Sequence, residues 1–325
     1  MLHFALLFPL VVVVAMIALA VARRGPFRAL HISSAAAASA EATNRRLRLR
    51  LRNVGAIAAT VACATLLTVA GLIGSITTER QEPLDALHLL LLTPILTAVT
   101  AVAFFAFLPA FPEESASRTA DLTRRTPLTF GPRSVFVAPV AAAALLAFLI
   151  VLLGAVADPD GRMLSYSPDV AKMGGGGGTF PGLVYGIPLL VGMVLLAGVL
   201  IVALKRIASA PRPTDASLRE ADSTVRLLGI RVVTKTATSA LLVTAGSLCI
   251  LAGNTAESIN RGTSVDGRGN PIPADATMQA IGTLGTIALW LGVALVAAAI
   301  AFVVGAIGDA TRKPFEIAPV AEVLA

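Results

Sequence analysis

The chain is 325 residues long, 56% hydrophobic and only 14% charged, with a formal net charge of +7. A mean hydropathy of +0.83 excludes a soluble globular domain. The pI of 10.2 does not signal nucleic acid either. The Arg residues flank apolar runs, where anionic lipid headgroups are the nearer counter-charge.

Seven stretches of 20 residues or more contain no Asp, Glu, Lys or Arg. About 20 apolar residues in a helix cross the ~30 Å hydrocarbon core with every backbone hydrogen bond made internally. In chain order the predicted transmembrane helices cover residues 2–22, 54–74, 87–110, 135–157, 183–204, 236–255 and 279–308, which leaves no room for a large soluble domain. The first could be mistaken for a cleaved signal, because Ala20-Val21-Ala22 precedes Arg23. But the chain opens Met1-Leu2-His3-Phe4 without a basic segment, and cleavage would export the eight Arg residues between Arg23 and Arg52, so this run is expected to stay as a helix.

The connections are sorted by charge. Residues 23–53, 111–133, 205–235 and the tail from 309 hold 21 of the 26 Lys and Arg, and the alternate connections hold five. The two faces carry +11 and −4. Basic residues resist translocation, which predicts an N-terminus outside and a C-terminus in the cytoplasm.

A short pattern recurs on the basic side: Ala40-Glu41-Ala42-Thr43-Asn44-Arg45, Ala120-Asp121-Leu122-Thr123-Arg124-Arg125 and Ala221-Asp222-Ser223-Thr224-Val225-Arg226. On a helix the acid lies one turn before the Arg, the favourable order for an ion pair. Each copy reads as a short cytoplasmic turn feeding a span. On the other side, Asp160-Gly161-Arg162 precedes Asp169 as Asp266-Gly267-Arg268 precedes Asp275, and Pro83-Leu84-Asp85 retains only the closing acid. Asp-Gly is a tight-turn signal, and a closing Asp suits the N-cap of the re-entering helix. The expected fold is an all-α polytopic bundle of one leading helix and three repeated hairpins, over residues 40–110, 120–206 and 221–308. With these turns, the chain resembles Ala-rich polytopic integral membrane proteins of actinobacteria. That resemblance implies the membrane architecture and brings no catalytic residues.

The residues that carry chemistry are sparse. Ion-coupled transporters place ionisable groups at membrane depth. The predicted spans hold none, with His88 read as an interface anchor and Lys235 as snorkelling at the inner mouth of span 6. His3, His31 and His88 are scattered and no metal-ligand spacing occurs, so no metal or cofactor is expected. Cys63 and Cys249 lie in spans and are expected to pack. Without an intramembrane base, nucleophilic catalysis is not expected and the chain does not read as an enzyme. The run Gly174 to Gly178 lacks the Gly-Lys-Ser/Thr of a phosphate loop and reads as a flexible linker or outer gate loop.

Other features concern packing and partners. Ala297, Ala301 and Gly305 recur at i,i+4 in span 7, with Gly282, Gly285 and Gly292 before them, which predicts close helix approach. Pro9, Pro94, Pro139 and Pro188 fall inside spans and predict bends. Arg45, Arg46, Arg48, Arg50 and Arg52 lie beside the membrane, where each contributes about 1 kcal/mol toward an anionic leaflet. Together these features point to a non-enzymatic accessory or scaffold subunit. Glu41, Arg45, Asp121, Arg125, Asp222 and Arg226 would form a basic cytoplasmic surface for a membrane or cytoplasmic protein partner. The competing reading is a permease or channel for a small neutral or apolar solute, without proton coupling, lined by hydroxyls such as Thr60, Thr68, Thr97, Thr100, Thr244, Ser247 and Thr286.

Overall fold

The structure is a computed structural model that describes residues 30–32, 84–107, 127, 132–166, 176–210, 219–261, 264–265, 271–272, 275–311 and 315–317. Its helices are α1 (Leu84–Phe107), α2 (Ser134–Val156), α3 (Leu183–Ser209), α4 (Arg219–Arg261) and α5 (Ala276–Thr311). All five are long and apolar enough to cross a membrane. The chain is an α-helical membrane bundle. The expected spans 2–22 and 54–74 lie outside the described residues.

Neighbouring helices alternate in direction. Gly154 near the end of α2 meets Leu183 at the start of α3, while the end of α3 reaches the first turns of α4. The bundle therefore has two ends. At the basic end α1, α3 and α5 finish and α2 and α4 begin. The opposite end carries two strand ribbons: β2 (Met163–Tyr166) with β3 (Gly176–Thr179), and β4 (Ser264–Val265) with β5 (Pro271–Ile272), both antiparallel. A third ribbon pairs β1 (Leu30–Ile32) with β6 (Phe315–Ile317) in parallel, four residues past the end of α5.

Helix α4 is the axis. It is 43 residues long, about 64 Å at 1.5 Å per residue, far more than the expected 236–255. The uncharged run marks only its lipid-depth portion. Beyond it, residues 219–235 and 256–261 stay helical because nothing breaks the helix and because Asp222, Arg226 and Thr234 are buried in protein. Of its membrane-length window 72% is buried, against 44% for α1, 28% for α2 and 22% for α3 and α5. Leu91 and Ile95 of α1, Leu146 and Ile150 of α2 and Leu189 and Leu196 of α3 close on Leu241, Ala245 and Leu248 of α4. Val137, Val140, Phe148, Val151, Val191 and Val194 stay exposed, as lipid-facing side chains do.

Several local expectations are met in the backbone. Gly161 has φ +67°, the left-handed turn that Asp160-Gly161 predicts, and Asp160 Oδ1 accepts from the Arg162 N–H at 3.1 Å. Asp275 caps α5, its Oδ1 accepting from the Met278 N–H at 2.7 Å. The Gly-rich run is otherwise than expected. Gly176 to Thr179 form β3, docked on α4 where Thr255 Oγ1 donates to the Thr179 carbonyl at 2.6 Å. A Cβ on Gly178 would stand 3.2 Å from Thr255 Cγ2, so the absence of side chains here serves close approach.

Candidate functional site at the basic end of the bundle

The charged side chains buried at the basic end, Asp222, Arg226 and Asp309, come from α4 and α5. Arg226, on the second turn of α4, is the largest fully buried side chain among the described residues. Its Nε donates to Asp222 Oδ2 at 2.8 Å, one turn earlier on the same helix. Nη1 donates to the carbonyls of Ile207 and Ala208 at 2.9 and 3.1 Å, and Nη2 to that of Ala210 at 2.8 Å. The last carbonyls of a helix have no partner within it, and a guanidinium fork at that end satisfies both hydrogen bonding and helix dipole. Arg226 thus clamps the end of α3 onto the start of α4.

This overturns the expectation for the third Ala-acid-x-Thr-x-Arg copy. Asp222 and Arg226 are not on a cytoplasmic turn that presents them to a partner; both side chains are interior. The acid-before-Arg pairing is as predicted, but the turn it was to mark is continuous helix. Glu41, Arg45, Asp121 and Arg125, with Arg46, Arg48, Arg50 and Arg52, lie outside the described residues.

Two more cations tie helices together. Arg206 Nη1 donates to the carbonyl of Ala106 at 3.1 Å, joining the ends of α3 and α1. Lys235 lies nine residues beyond Arg226 along α4, about 13 Å deeper. Instead of snorkelling free, its Nζ donates to Asp309 Oδ2 at 2.7 Å and to the Gly305 carbonyl at 3.2 Å, both on α5. The side chain of Asp309 is 5% exposed and that of Lys235 30%. A Cβ at Gly305 would stand 3.1 Å from that Nζ, so the missing side chain admits the ammonium. An interhelical ion pair therefore joins the two charges that border the uncharged runs 236–255 and 279–308.

The predicted small-residue face of α5 meets α4. Ala297 and Gly305 are buried and Ala301 is half-buried. The closest approach is at Gly285 and Gly292, whose partners Gly253 and Gly246 were missing from the sequence reading. A Cβ on Gly253 would stand 2.6 Å from the Gly285 carbonyl oxygen, and one on Gly292 2.6 Å from that of Gly246. Both pairs are seven residues apart on their own helix, so one face of each helix carries them. That shared spacing was the available signal.

At the ribbon end, Pro188 has no N–H to offer the Val184 carbonyl, and His88 Nε2 takes that carbonyl at 3.2 Å. The imidazole also stacks on Tyr185, with centroids 4.5 Å apart. His88, expected as an interface anchor, is an interhelical partner for a proline-freed carbonyl. Cys249 is buried in the core among Leu241, Ala245 and Leu248 and packs as expected; Cys63 lies outside the described residues.

The hydroxyls mostly return to their own helices. Thr97 donates to the carbonyls of Thr93 and Pro94, Thr100 to Leu96, Thr234 to Ile230, Thr238 to Thr234 and Thr286 to Gly282. Thr244 Oγ1 is buried with no partner among the described residues. Among those residues no cluster of three or more His, Cys, Asp and Glu is placed to hold a metal ion.

No protein-family model matches the chain, and no curated protein or solved structure is detectably similar to it. The functional reading rests on these contacts alone.

Proposed function

We propose that the chain is a seven-span plasma-membrane protein, N-terminus outside and C-terminus cytoplasmic, that acts without enzymatic activity as an accessory or scaffold subunit of a cell-envelope or transport system. The observation that carries this reading is the destination of the interior polar groups. Arg226 binds Asp222 and the carbonyls at the end of α3, Lys235 binds Asp309 and the Gly305 carbonyl of α5, and most of the hydroxyls close on carbonyls of their own helices. Charges at membrane depth are kept for ion pathways or for holding helices, and here they hold helices. With Asp222 and Arg226 inside, the partner surface falls to Glu41, Arg45, Asp121 and Arg125, and the anionic-lipid contact to Arg45, Arg46, Arg48, Arg50 and Arg52.

The β1–β6 pairing supports the span count. Five helices take the chain across five times between residues 84 and 311, while paired strands lie on one face. An odd number of crossings between residues 32 and 84 then closes the topology, and 54–74 is the apolar run in that interval. Residues 2–22 supply the seventh crossing.

Single cysteines on a background with Cys63 and Cys249 changed to Ala test the topology. Impermeant maleimide should label Ser165→Cys and Ser264→Cys in intact cells, and Ser34→Cys and Ser217→Cys only after permeabilisation. The opposite pattern would invert the orientation. Purification in mild detergent tests the role: a protein that co-purifies with the wild type should be lost from the R45E/R125E variant. A chain that always purifies alone would overturn the scaffold reading.

One observation favours the permease reading, the buried hydroxyl of Thr244, which has no partner among the described residues. Flux of neutral metabolites into reconstituted liposomes, abolished by Thr244→Val, would establish it over the scaffold.

A further inference from the structure

Helix α4 is enclosed along most of its membrane-crossing length, except on one strip. From Val233 to Ile250 every residue is buried but Lys235, Thr236, Val243, Ser247 and Ile250, which are half-buried. The steps of seven, four and three residues from Thr236 to Ile250 place four of these side chains on one face of the helix, with Lys235 at its edge. Unlike the exposed sides of α2 and α3, this is a single strip on the most buried helix, and cations stand at its head. Arg231, also half-buried, lies one turn before Lys235 on the same face. An ammonium carries three N–H donors. Lys235 places two, on Asp309 Oδ2 and the Gly305 carbonyl, and no described residue takes the third. Its side chain stays 30% exposed beside a carboxylate that is 5% exposed, so the remaining donor has an open side to turn to.

We propose that this strip binds one anionic phospholipid, its phosphodiester held between Lys235 Nζ and the Arg231 guanidinium and an acyl chain lying along Thr236, Val243, Ser247 and Ile250. Depth selects a lipid. Lys235 borders the uncharged run 236–255, which as helix is about as long as the ~30 Å hydrocarbon core is thick. The headgroup layer occupies roughly the next 5–7 Å. Arg231 lies about 6 Å further along the axis, so the two cations bracket the level of a phospholipid phosphate. Charge selects the headgroup. Arg231 and Lys235 against Asp309 leave one positive charge at the edge of the hydrocarbon, which a phosphatidylglycerol-type headgroup cancels, whereas a choline headgroup brings a cation of its own. The Asp309 carboxylate, 2.7 Å from Nζ, stands on the interior side of the ammonium, and the phosphate takes the open side. Below the cations, Thr236 returns its hydroxyl to the Val232 carbonyl at 2.8 Å and sets no free donor against the chain.

The inference requires only that α4 crosses the bilayer; neither the scaffold nor the permease reading enters it. Native mass spectrometry of the full-length protein, titrated in detergent with dioleoyl phosphatidylglycerol, measures the site. The wild type should bind one such lipid about fivefold more tightly than dioleoyl phosphatidylcholine, and R231Q should lose that factor, the effect of one cation at a membrane surface. K235M/D309N removes the ammonium without changing the net charge or leaving a lone carboxylate, and should weaken binding comparably. K205Q, at an exposed lysine on the last turns of α3, is the control and should bind as the wild type does. An equal loss in K205Q would reduce the effect to diffuse surface charge, and unchanged affinity in R231Q and in the double variant would send the lipid elsewhere; either result overturns the site. Displacement of the lipid by excess inorganic phosphate would overturn it too, because the strip would then contribute nothing. Fluorescence locates the chain. In a W290F background, which removes the single tryptophan, an S247W reporter in phosphatidylcholine vesicles doped with brominated phosphatidylglycerol should be quenched more than a V151W reporter on exposed α2, and R231Q should abolish the excess. Equal quenching at the two reporters would mean bulk lipid, and none at S247W would mean that a protein segment or a second copy fills the strip, so both exclude the proposal.

Discussion

The hairpin α2–α3 is the more apolar of the two hairpins, with span hydropathies of 2.8 and 2.9, yet it is the looser and more exposed one. Helix α4, the least apolar span at 1.6, is the most buried at 72%. In water this order would be inverted. In a bilayer, lipid tails are as apolar as Leu, so burying Leu gains little, while polar side chains and bare backbone gain partners only inside protein. Hydropathy therefore decides which segments enter the membrane, and small and polar residues decide which of them goes to the middle. The contact between α4 and α5 is accordingly made of glycines, one ion pair and an Asn260 packed on Gly282, while α2 and α3 turn valines and leucines outward.

The sharpest break of this contrast is at Arg226. R226A leaves Asp222 buried and charged and abandons three carbonyls at the end of α3 and just past it, and should cost about 3–5 kcal/mol in thermal or denaturant unfolding of the detergent-solubilised protein. R226K keeps the charge without the planar fork and should fall between the two. If R226A unfolds with the wild type, the clamp is not what holds α3 to α4.

Next is the glycine seam. G253V or G292V should destabilise by about 1–3 kcal/mol, because each new side chain meets backbone and not a movable side chain. G198A is the internal control: a Cβ there meets nothing within 4 Å, and its melting temperature should not fall. Equal losses at the three positions would mean that glycine matters here for flexibility, not for approach.

The ion pair between α4 and α5 ranks third. K235M removes the ammonium from beside the buried carboxylate of Asp309, whereas D309N leaves an ammonium that still has the Gly305 carbonyl and partial exposure. K235M should therefore cost more, about 2 kcal/mol, and the double variant K235M/D309N should recover much of it. Purely additive losses in that cycle would remove the pair from the account.

The smallest effect expected is that of Thr244→Val, which exchanges a hydroxyl without a partner among the described residues for a methyl of similar shape. It should leave stability within about 0.5 kcal/mol of the wild type or slightly raise it. A larger loss would reveal a bonded partner, in the protein or in a transported solute.

The sequence by itself determined the membrane class, four helices close to their predicted places, the middle of the fifth, and the tight turn at Gly161. The N-cap at Asp275 and the small-residue face of α5 were legible as well. These follow from local rules: apolar run length, the conformational freedom of glycine and the reach of a short carboxylate to a helix N-terminus. The tertiary structure alone decided that Asp222 and Arg226 turn inward, because their acceptors, the carbonyls of Ile207, Ala208 and Ala210, belong to another helix and no local pattern announces them. It decided likewise that His88 serves Val184, 96 residues away, and that Lys235 meets Asp309, 74 residues away. In each case one partner was visible in the sequence as a charge, a ring or a proline, and the other was a backbone or side-chain group that only the packing of helices brings within 3.2 Å.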